Sequence, residues 1–488
     1  MNTLENLHFD NTFARLPENF YRHVKSTPLP APYLVSFNER AAELIGLDPN
    51  EAAKPEFVEY FTGNKLLNGS EPISAIYAGH QFGVFVSQLG DGRAILLGEA
   101  VNDKGERFDI QLKGAGMTPF SRMGDGRAVL RSTIREYLCS EAMHALRIPT
   151  TRSLCITGSD TPVYRETIET AAVLTRLAPS HVRFGSFELF YYRGQYEQVR
   201  ELADYVIREF YPQFAKSENK YLEFLREVVR RTARLIAEWQ SVGFAHGVMN
   251  TDNMSVLGLT IDYGPFGFLD EYEAGFICNH SDYAGRYAFE QQPIVGLWNL
   301  YKFAQTLVPL VEVEEAETVL DEYQKVFGER FNELMRAKLG LQTEQLEDGM
   351  LVSGLLEILQ NSRVDYSLFF RRLVDFKTDE DEKNKFLQGM FIDPLSFDSW
   401  AKIYRARLQK ENSIEAARCA SMLLANPKFV LRNHIAQAAI EKAQAGDFTE
   451  VGALLEVLQK PFDEQPEMER FNTPPPEEAI RVAVSCSS

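Results

Sequence analysis

The sequence predicts an α+β fold in two lobes, with an N-terminal extension and a helical C-terminal extension. Three observations carry this reading. Between residues 76 and 175, short apolar or alternating runs are broken by Gly-Asp-Gly turns, the pattern of a sheet. Beyond about residue 170 the apolar spacing becomes helical. The third observation is a pair of polar loops after the long amphipathic segment Tyr221 to Trp239. They read His246-Gly247-Val248-Met249-Asn250-Thr251-Asp252-Asn253 and Ile261-Asp262-Tyr263-Gly264.

In chain order, residues 1–75 form a mixed extension with turn signals at Pro28, Pro30, Pro32 and Asp48-Pro49. In the sheet region, 76–175, Val84 to Val86 and Ala94 to Leu97 flank Gly90-Asp91-Gly92, which reads as a hairpin with a tight turn. Phe108, Ile110 and Leu112 alternate with polar residues and end at Lys113, a half-buried strand. Leu130, Ile134, Leu138, Ala142 and Ala145 have helical spacing. That helix is expected to start after Gly124-Asp125-Gly126 and end before Pro149. Ser153 to Thr157 and Val163 to Ile168 read as two further strands. Residues 176–300 hold a helical core with the two polar loops. Residues 301–488 read as helices broken at Gly340, Pro394 and Asn426-Pro427, ending in a short tether, and are expected to pack on that core.

Strands, a Lys-bearing third strand, a helix and two more strands is the order of a protein-kinase N-lobe. The polar loops fit the kinase frame H-x-D-x-x-x-x-N followed by D-F-G, with one exception. Val248 stands where the catalytic Asp belongs, and an apolar side chain accepts no proton. The expected architecture is therefore protein-kinase-like.

At 488 residues, with 45% hydrophobic and 25% charged residues, the chain is in the globular range. No apolar run approaches the roughly 20 residues of a membrane span. The N-terminus carries Glu5 and Asp10 and no signal pattern, so a cytoplasmic protein without a membrane partner is expected. The net charge of −18 argues against nucleic acid as a partner. Residues 101–200 nevertheless carry 12 Arg and 2 Lys against 11 Asp and Glu, a local +3 that suits a small anion such as a nucleoside triphosphate.

Asn253 and Asp262 supply the hard oxygens that Mg²⁺ takes when it bridges phosphates. As isolated residues they would equally be turn formers. Asp252 is the carboxylate beside Asn253 and, by position, the available general base. Lys113 and Glu136, 23 residues apart, match the strand-Lys and helix-Glu pair of kinases. Gly90, Gly92 and Arg93 sit where a kinase has its phosphate-covering loop. Asp125 and Gly126 precede the helix, as an anion site or simply an N-cap. Arg176 and Arg183 fall at the kinase hinge, where adenine recognition needs no arginine and a phosphate would use two. Cys278 follows Asp262 by 16 residues and Cys486 lies on the tail. Two readings stay open for them: reduced and inert, or a redox pair.

Several long blocks carry a family resemblance. They are Gly79-His80-Gln81-Phe82-Gly83, Leu112-Lys113-Gly114-Ala115-Gly116, Thr118-Pro119-Phe120-Ser121-Arg122, His246 through Met254, and Ile261-Asp262-Tyr263-Gly264-Pro265. Over nearly its whole length the chain resembles the selenoprotein O (SelO, or YdiU) family. The resemblance implies a kinase-like fold that binds ATP in a flipped orientation. It implies transfer of AMP to Ser, Thr or Tyr hydroxyls of proteins. By position it makes Asp252 the proton acceptor and Asn253 and Asp262 the ligands of Mg²⁺, with Mn²⁺ as the alternative. Gly90, Gly92, Arg93, Lys113, Asp125, Gly126, Arg176 and Arg183 become nucleotide contacts, with Glu136 pairing Lys113. Cys486 stands where eukaryotic members carry selenocysteine.

The expected activity is thus protein adenylylation with release of pyrophosphate. A kinase of ordinary polarity and a non-catalytic ATP-binding regulator are the alternatives. A monomer is favoured.

Overall fold

The computed structural model describes residues 1–378 and 384–476. In chain order its strands are β1 (Tyr21–His23), β2 (Tyr33–Phe37), β3 (Ile73–Ala75), β4 (Gly79–Gln81), β5 (Val84–Val86), β6 (Ala94–Val101), β7 (Arg107–Lys113), β8 (Ala128–Val129), β9 (Arg152–Tyr164), β10 (Ile168–Ala178), β11 (Phe244–Ala245) and β12 (Gly267–Phe268). The main sheet is antiparallel and runs β1-β3-β6-β7-β10-β9-β2, with β8 paired to β10. The first 75 residues thus supply both edge strands and β3, so this segment is woven into the sheet.

The expected hairpin through Gly90-Asp91-Gly92 does not form. Val84–Val86 pairs instead with Gly79–Gln81, while Ala94–Val101 pairs with β3 and β7. The Phe82-Gly83 turn closes that hairpin with both residues at positive φ, +49° and +83°, which matches the twist of a two-residue hairpin.

Alternation in β7 is confirmed, but both of its faces are buried. Ile110 and Leu112 enter an apolar core with Phe57, Phe61, Leu97 and Val173. On the other face, Asp109 accepts the His181 backbone N–H (2.9 Å) and Gln111 accepts from the Arg176 guanidinium (3.2 Å). Partnered polar groups let this face be buried without the cost of an unmade hydrogen bond.

The helix spans Leu130–Ala145, beginning four residues after Gly126 with Val129 as its N-cap. Asp125 is therefore not the cap. It holds Arg165 through two 2.9 Å bonds. The apolar face of this helix packs on Ile156, Ala172 and Leu174 of β9 and β10. Its outer side is covered by the helices Asn433–Gln444 and Thr449–Leu458, through Ile435, Ile440 and Leu454. The C-terminal region thus braces the helix that carries Glu136. Earlier helices of that region, with Met335, Leu355 and Tyr404, pack as expected around Ala245 and Leu269.

The amphipathic segment forms one helix, Lys220–Val242, closed by Gly243 at φ +71°. It delivers the chain into β11 and the His246 loop. Among the described residues no helix is long and apolar enough to cross a membrane.

Candidate active site

The His246 loop is held from several sides. The His246 N–H donates to Gln292 (2.8 Å), and its ring lies 2.9 Å from the Ile261 carbonyl and stacks on Trp239. Asn299 donates to the Met249 carbonyl (2.9 Å). Gln292 and Asn299 lie on one helix, Gln292–Leu307, so one rigid element sets the path of the loop. Burial pulls the His246 pKa down, which keeps the imidazole neutral in this structural role.

A cleft of about 630 Å³ opens between this loop and the sheet. It is lined by Asp252, Asn253, Asp262 and Val248 on one side and by Lys113 and Arg176 on the other. Gly90, Gly92, Arg93, Asp125 and Gly126 line it as well. Arg183 and Glu136 stand just behind this wall, bonded to its residues.

Charges alternate along the inner wall. Glu136 pairs with Lys113 at 2.5 Å and also with Arg176. Arg176 reaches Asp262 Oδ1 at 2.8 Å, and Arg183 reaches Asp262 Oδ2 at 2.6 Å and the Asp252 carbonyl at 2.7 Å. Arg183 also lies over the Tyr77 ring (4.6 Å) and 3.9 Å from Asp91. Both guanidinium groups are almost fully buried, at 3–4% exposure, whereas Asp262 is 22% exposed. Burial opposes ionisation of Asp262, but Arg183, Arg176 and Lys113 outweigh it and hold the carboxyl well below its usual range. Burial lowers Lys113 to about 8 against the pull of Glu136. Asp262 itself has φ +57°, a left-handed conformation that Asp tolerates better than most residues.

Asp252 differs. Burial raises its pKa to about 7, opposed by Arg183 and by the bond from Gln81. Its Oδ1 is buried with no hydrogen-bond partner. The loop leaves it just enough space. A Cβ on Gly79 would lie 2.7 Å from Oδ1 and 2.9 Å from the Asp252 Cβ. Gly79→Ala is accordingly expected to displace this carboxylate and to lower the melting temperature by a few degrees, as scanning calorimetry can check.

Gly90 and Gly92 have a visible packing reason. A Cβ on Gly90 would sit 2.5 Å from the Phe120 ring, and one on Gly92 would sit 2.8 Å from the Phe120 carbonyl oxygen. The Thr118–Ser121 segment closes on this turn through Thr118 Oγ1, which donates to the Asp91 carbonyl (2.7 Å). Arg93 lines the cleft and its guanidinium makes no ion pair among the described residues.

Asn253 donates its Nδ2 to the Val248 carbonyl (3.0 Å), which leaves Oδ1 as an open acceptor. This oxygen and the Asp262 carboxylate form a hard donor set. They fit a small cation that takes one or two protein ligands and the rest from phosphate and water. Among the described residues, no three His, Cys, Asp or Glu are grouped to hold a metal by themselves.

Cys278 is buried against this loop, its thiol 3.5 Å from the Ala245 carbonyl. Cys486 lies outside the described residues. Two groups escaped the sequence reading: Asp91, whose carboxylate faces Arg183, and Gln81, which donates to Asp252 (3.2 Å). Both are buried or half-buried polar residues on very short strands or turns, where no periodicity marks them.

The sequence pattern described as protein adenylyltransferase SelO matches residues 3–459. A protein nucleotidyltransferase YdiU of Thiobacillus denitrificans is 56% identical over the full length of both chains. Proteins of the same name from Thioalkalivibrio sulfidiphilus and Myxococcus xanthus are each 57% identical, again over the full length of both chains. The chain therefore belongs to the SelO family of protein adenylyltransferases and is a nucleotidyltransferase that uses ATP.

Proposed function

We propose that this enzyme transfers AMP from a flipped ATP to Ser, Thr or Tyr hydroxyls of proteins, on a kinase-like two-lobed fold. In this reading residues 76–175 are the N-lobe and 176–300 the C-lobe core, with 1–75 and 301–488 as extensions. Dependence on ATP points to the cytoplasm.

One observation carries the flip. Two buried arginines, Arg176 from β10 and Arg183 just after it, converge on Asp262 at the inner wall of the cleft. Such a pair suits the most highly charged end of the triphosphate, its γ-phosphate. The α-phosphate then faces the opening, on the side of Asp252. Lys113, fixed by Glu136, and Arg93 are the further cations for the phosphates, with Gly90, Gly92, Asp125 and Gly126 forming the surrounding turns.

In the transfer, the acceptor hydroxyl oxygen forms a bond to the α-phosphorus. The bond from that phosphorus to the bridging oxygen breaks, its electron pair leaves with pyrophosphate, and the hydroxyl proton passes to the Asp252 carboxylate. A Mg²⁺ or Mn²⁺ ion held by Asn253 and Asp262 would neutralise phosphate charge. Arg176, Arg183 and Lys113 stabilise the same charge from fixed, buried positions, where electrostatic terms are strong.

ATP labelled at the α- or the γ-phosphate tests the reading. Label is expected in protein from the α position alone. Label from γ alone would identify a kinase of ordinary polarity, and label from neither a non-catalytic ATP-binding protein.

A further inference from the structure

The hairpin β4–β5 is the one strand pair of the sheet region that stands apart from the main sheet. It touches the catalytic loop at three consecutive residues. The His80 N–H donates to Thr251 Oγ1 at 2.6 Å. Gln81 Nε2 donates to Asp252 Oδ2 at 3.2 Å. The Phe82 N–H is shared between Asn250 Oδ1 (3.2 Å) and the Tyr287 hydroxyl (2.9 Å), which itself donates to Asn250 at 2.6 Å. Gly79, the first residue of the hairpin, lies so close to Asp252 that a Cβ would strike the carboxylate.

Phe82 holds this position in a left-handed conformation, φ +49°, that a bulky residue rarely adopts. Strain of that kind persists where the surroundings over-determine it. Here they do: the bonds to Asn250 and Tyr287 and the Phe82–Tyr287 ring contact (5.1 Å) fix the turn on the loop. At the other end, His80 is locked by a buried contact with Glu188 (3.0 Å) on the helix Phe184–Tyr192. The hairpin is therefore anchored on both sides of Gln81.

The two oxygens of Asp252 are not equivalent. Oδ2 is held by Gln81, whereas Oδ1 is buried without a partner. A carboxylate with one oxygen tied has one orientation: Oδ1 is turned to the Gly79 side, and Oδ2, with Gln81 on one lone pair, keeps the other for a hydroxyl proton.

We propose that Gln81 is a positioning residue, which holds Asp252 Oδ2 and so fixes the one orientation in which this carboxylate receives the hydroxyl proton. The proposal rests on Asp252 being the proton acceptor of the transfer. Gln81 acts through Asp252 and takes no part in binding ATP.

A double-mutant cycle tests it, with α-labelled ATP and a degenerate peptide mixture carrying Ser, Thr and Tyr as acceptor. Gln81→Met keeps the side-chain volume and removes the donor. The expected result is a fall in kcat of about 10–100-fold, with the KM and the calorimetric Kd for ATP within twofold of the wild type. The melting temperature is expected to stay within about 2 °C. On an Asp252→Asn background, the further change Gln81→Met is expected to cost less than about threefold, because its route of action is already gone. Independent, multiplying losses would overturn the proposal, as would a raised ATP KM with kcat intact. Wild-type kcat in Gln81→Met alone would do the same while leaving the proposed reaction standing. Full activity of Asp252→Asn would remove the proton acceptor itself, and with it any role for Gln81 through it.

Discussion

Asp262→Asn is expected to lower AMP transfer by at least about 10³-fold while leaving the fold and ATP binding in place. The carboxylate has two tasks in the proposed reaction. It is a hard anionic ligand for a cation, and it is the shared partner of Arg176 (2.8 Å) and Arg183 (2.6 Å). An amide keeps the shape and tolerates φ +57°, so the turn survives. It loses the negative charge that both tasks need. Arg176 keeps Glu136 and Arg183 keeps the neighbouring Asp91, so neither guanidinium is left without a carboxylate. The wall then carries one more net positive charge. Affinity for metal-free ATP is therefore expected to hold or rise, measured by calorimetry in EDTA, even as transfer collapses. This split between binding and turnover distinguishes loss of a catalytic ligand from loss of the site. Full activity in the variant would remove Asp262 from the mechanism.

Asp252→Asn is expected to reduce kcat by about 10²–10⁴-fold, the range for removing a general base. The same substitution has a second, opposite effect on stability. Burial raises the folded-state pKa of Asp252 to about 7, above the ordinary value of 3.8. The folded protein thus binds this proton more tightly than the unfolded chain. The stability from that proton is present at low pH and is lost as pH rises from about 4 through about 7. Asparagine has no proton to lose. In EDTA the variant is therefore expected to melt higher than the wild type at pH 8, with the difference closing towards pH 5. A carboxylate proposed as base and buried against its own ionisation sets function against stability. Equal melting temperatures at pH 8 would mean that Asp252 is not held in the environment the structure shows.

Much of this was legible in the chain. Lys113 at the end of an alternating strand, Glu136 on a helix of clear period and the two polar loops are local patterns, and each came out where its spacing put it. Gly90-Asp91-Gly92 misled. A tight turn was the natural reading of two glycines, yet they serve close packing against Phe120. The N-cap alternative for Asp125 fails, because the helix begins only at Leu130 and Arg165, 40 residues away, holds the carboxylate.

By itself, the sequence determined the longer elements, their order and the inventory of charged groups, although the strand read at Val163 to Ile168 is the turn between β9 and β10. Those follow from periodicity, turn chemistry and composition, all short-range properties. Only the tertiary structure decided which charges meet. Arg183 and Asp262 are 79 residues apart, and Gln81 and Asp252 are 171 apart. Each pair joins residues that no repeat connects. What selects such pairs is the cost of burying a polar group unpartnered, and that cost exists only once the chain has closed around it.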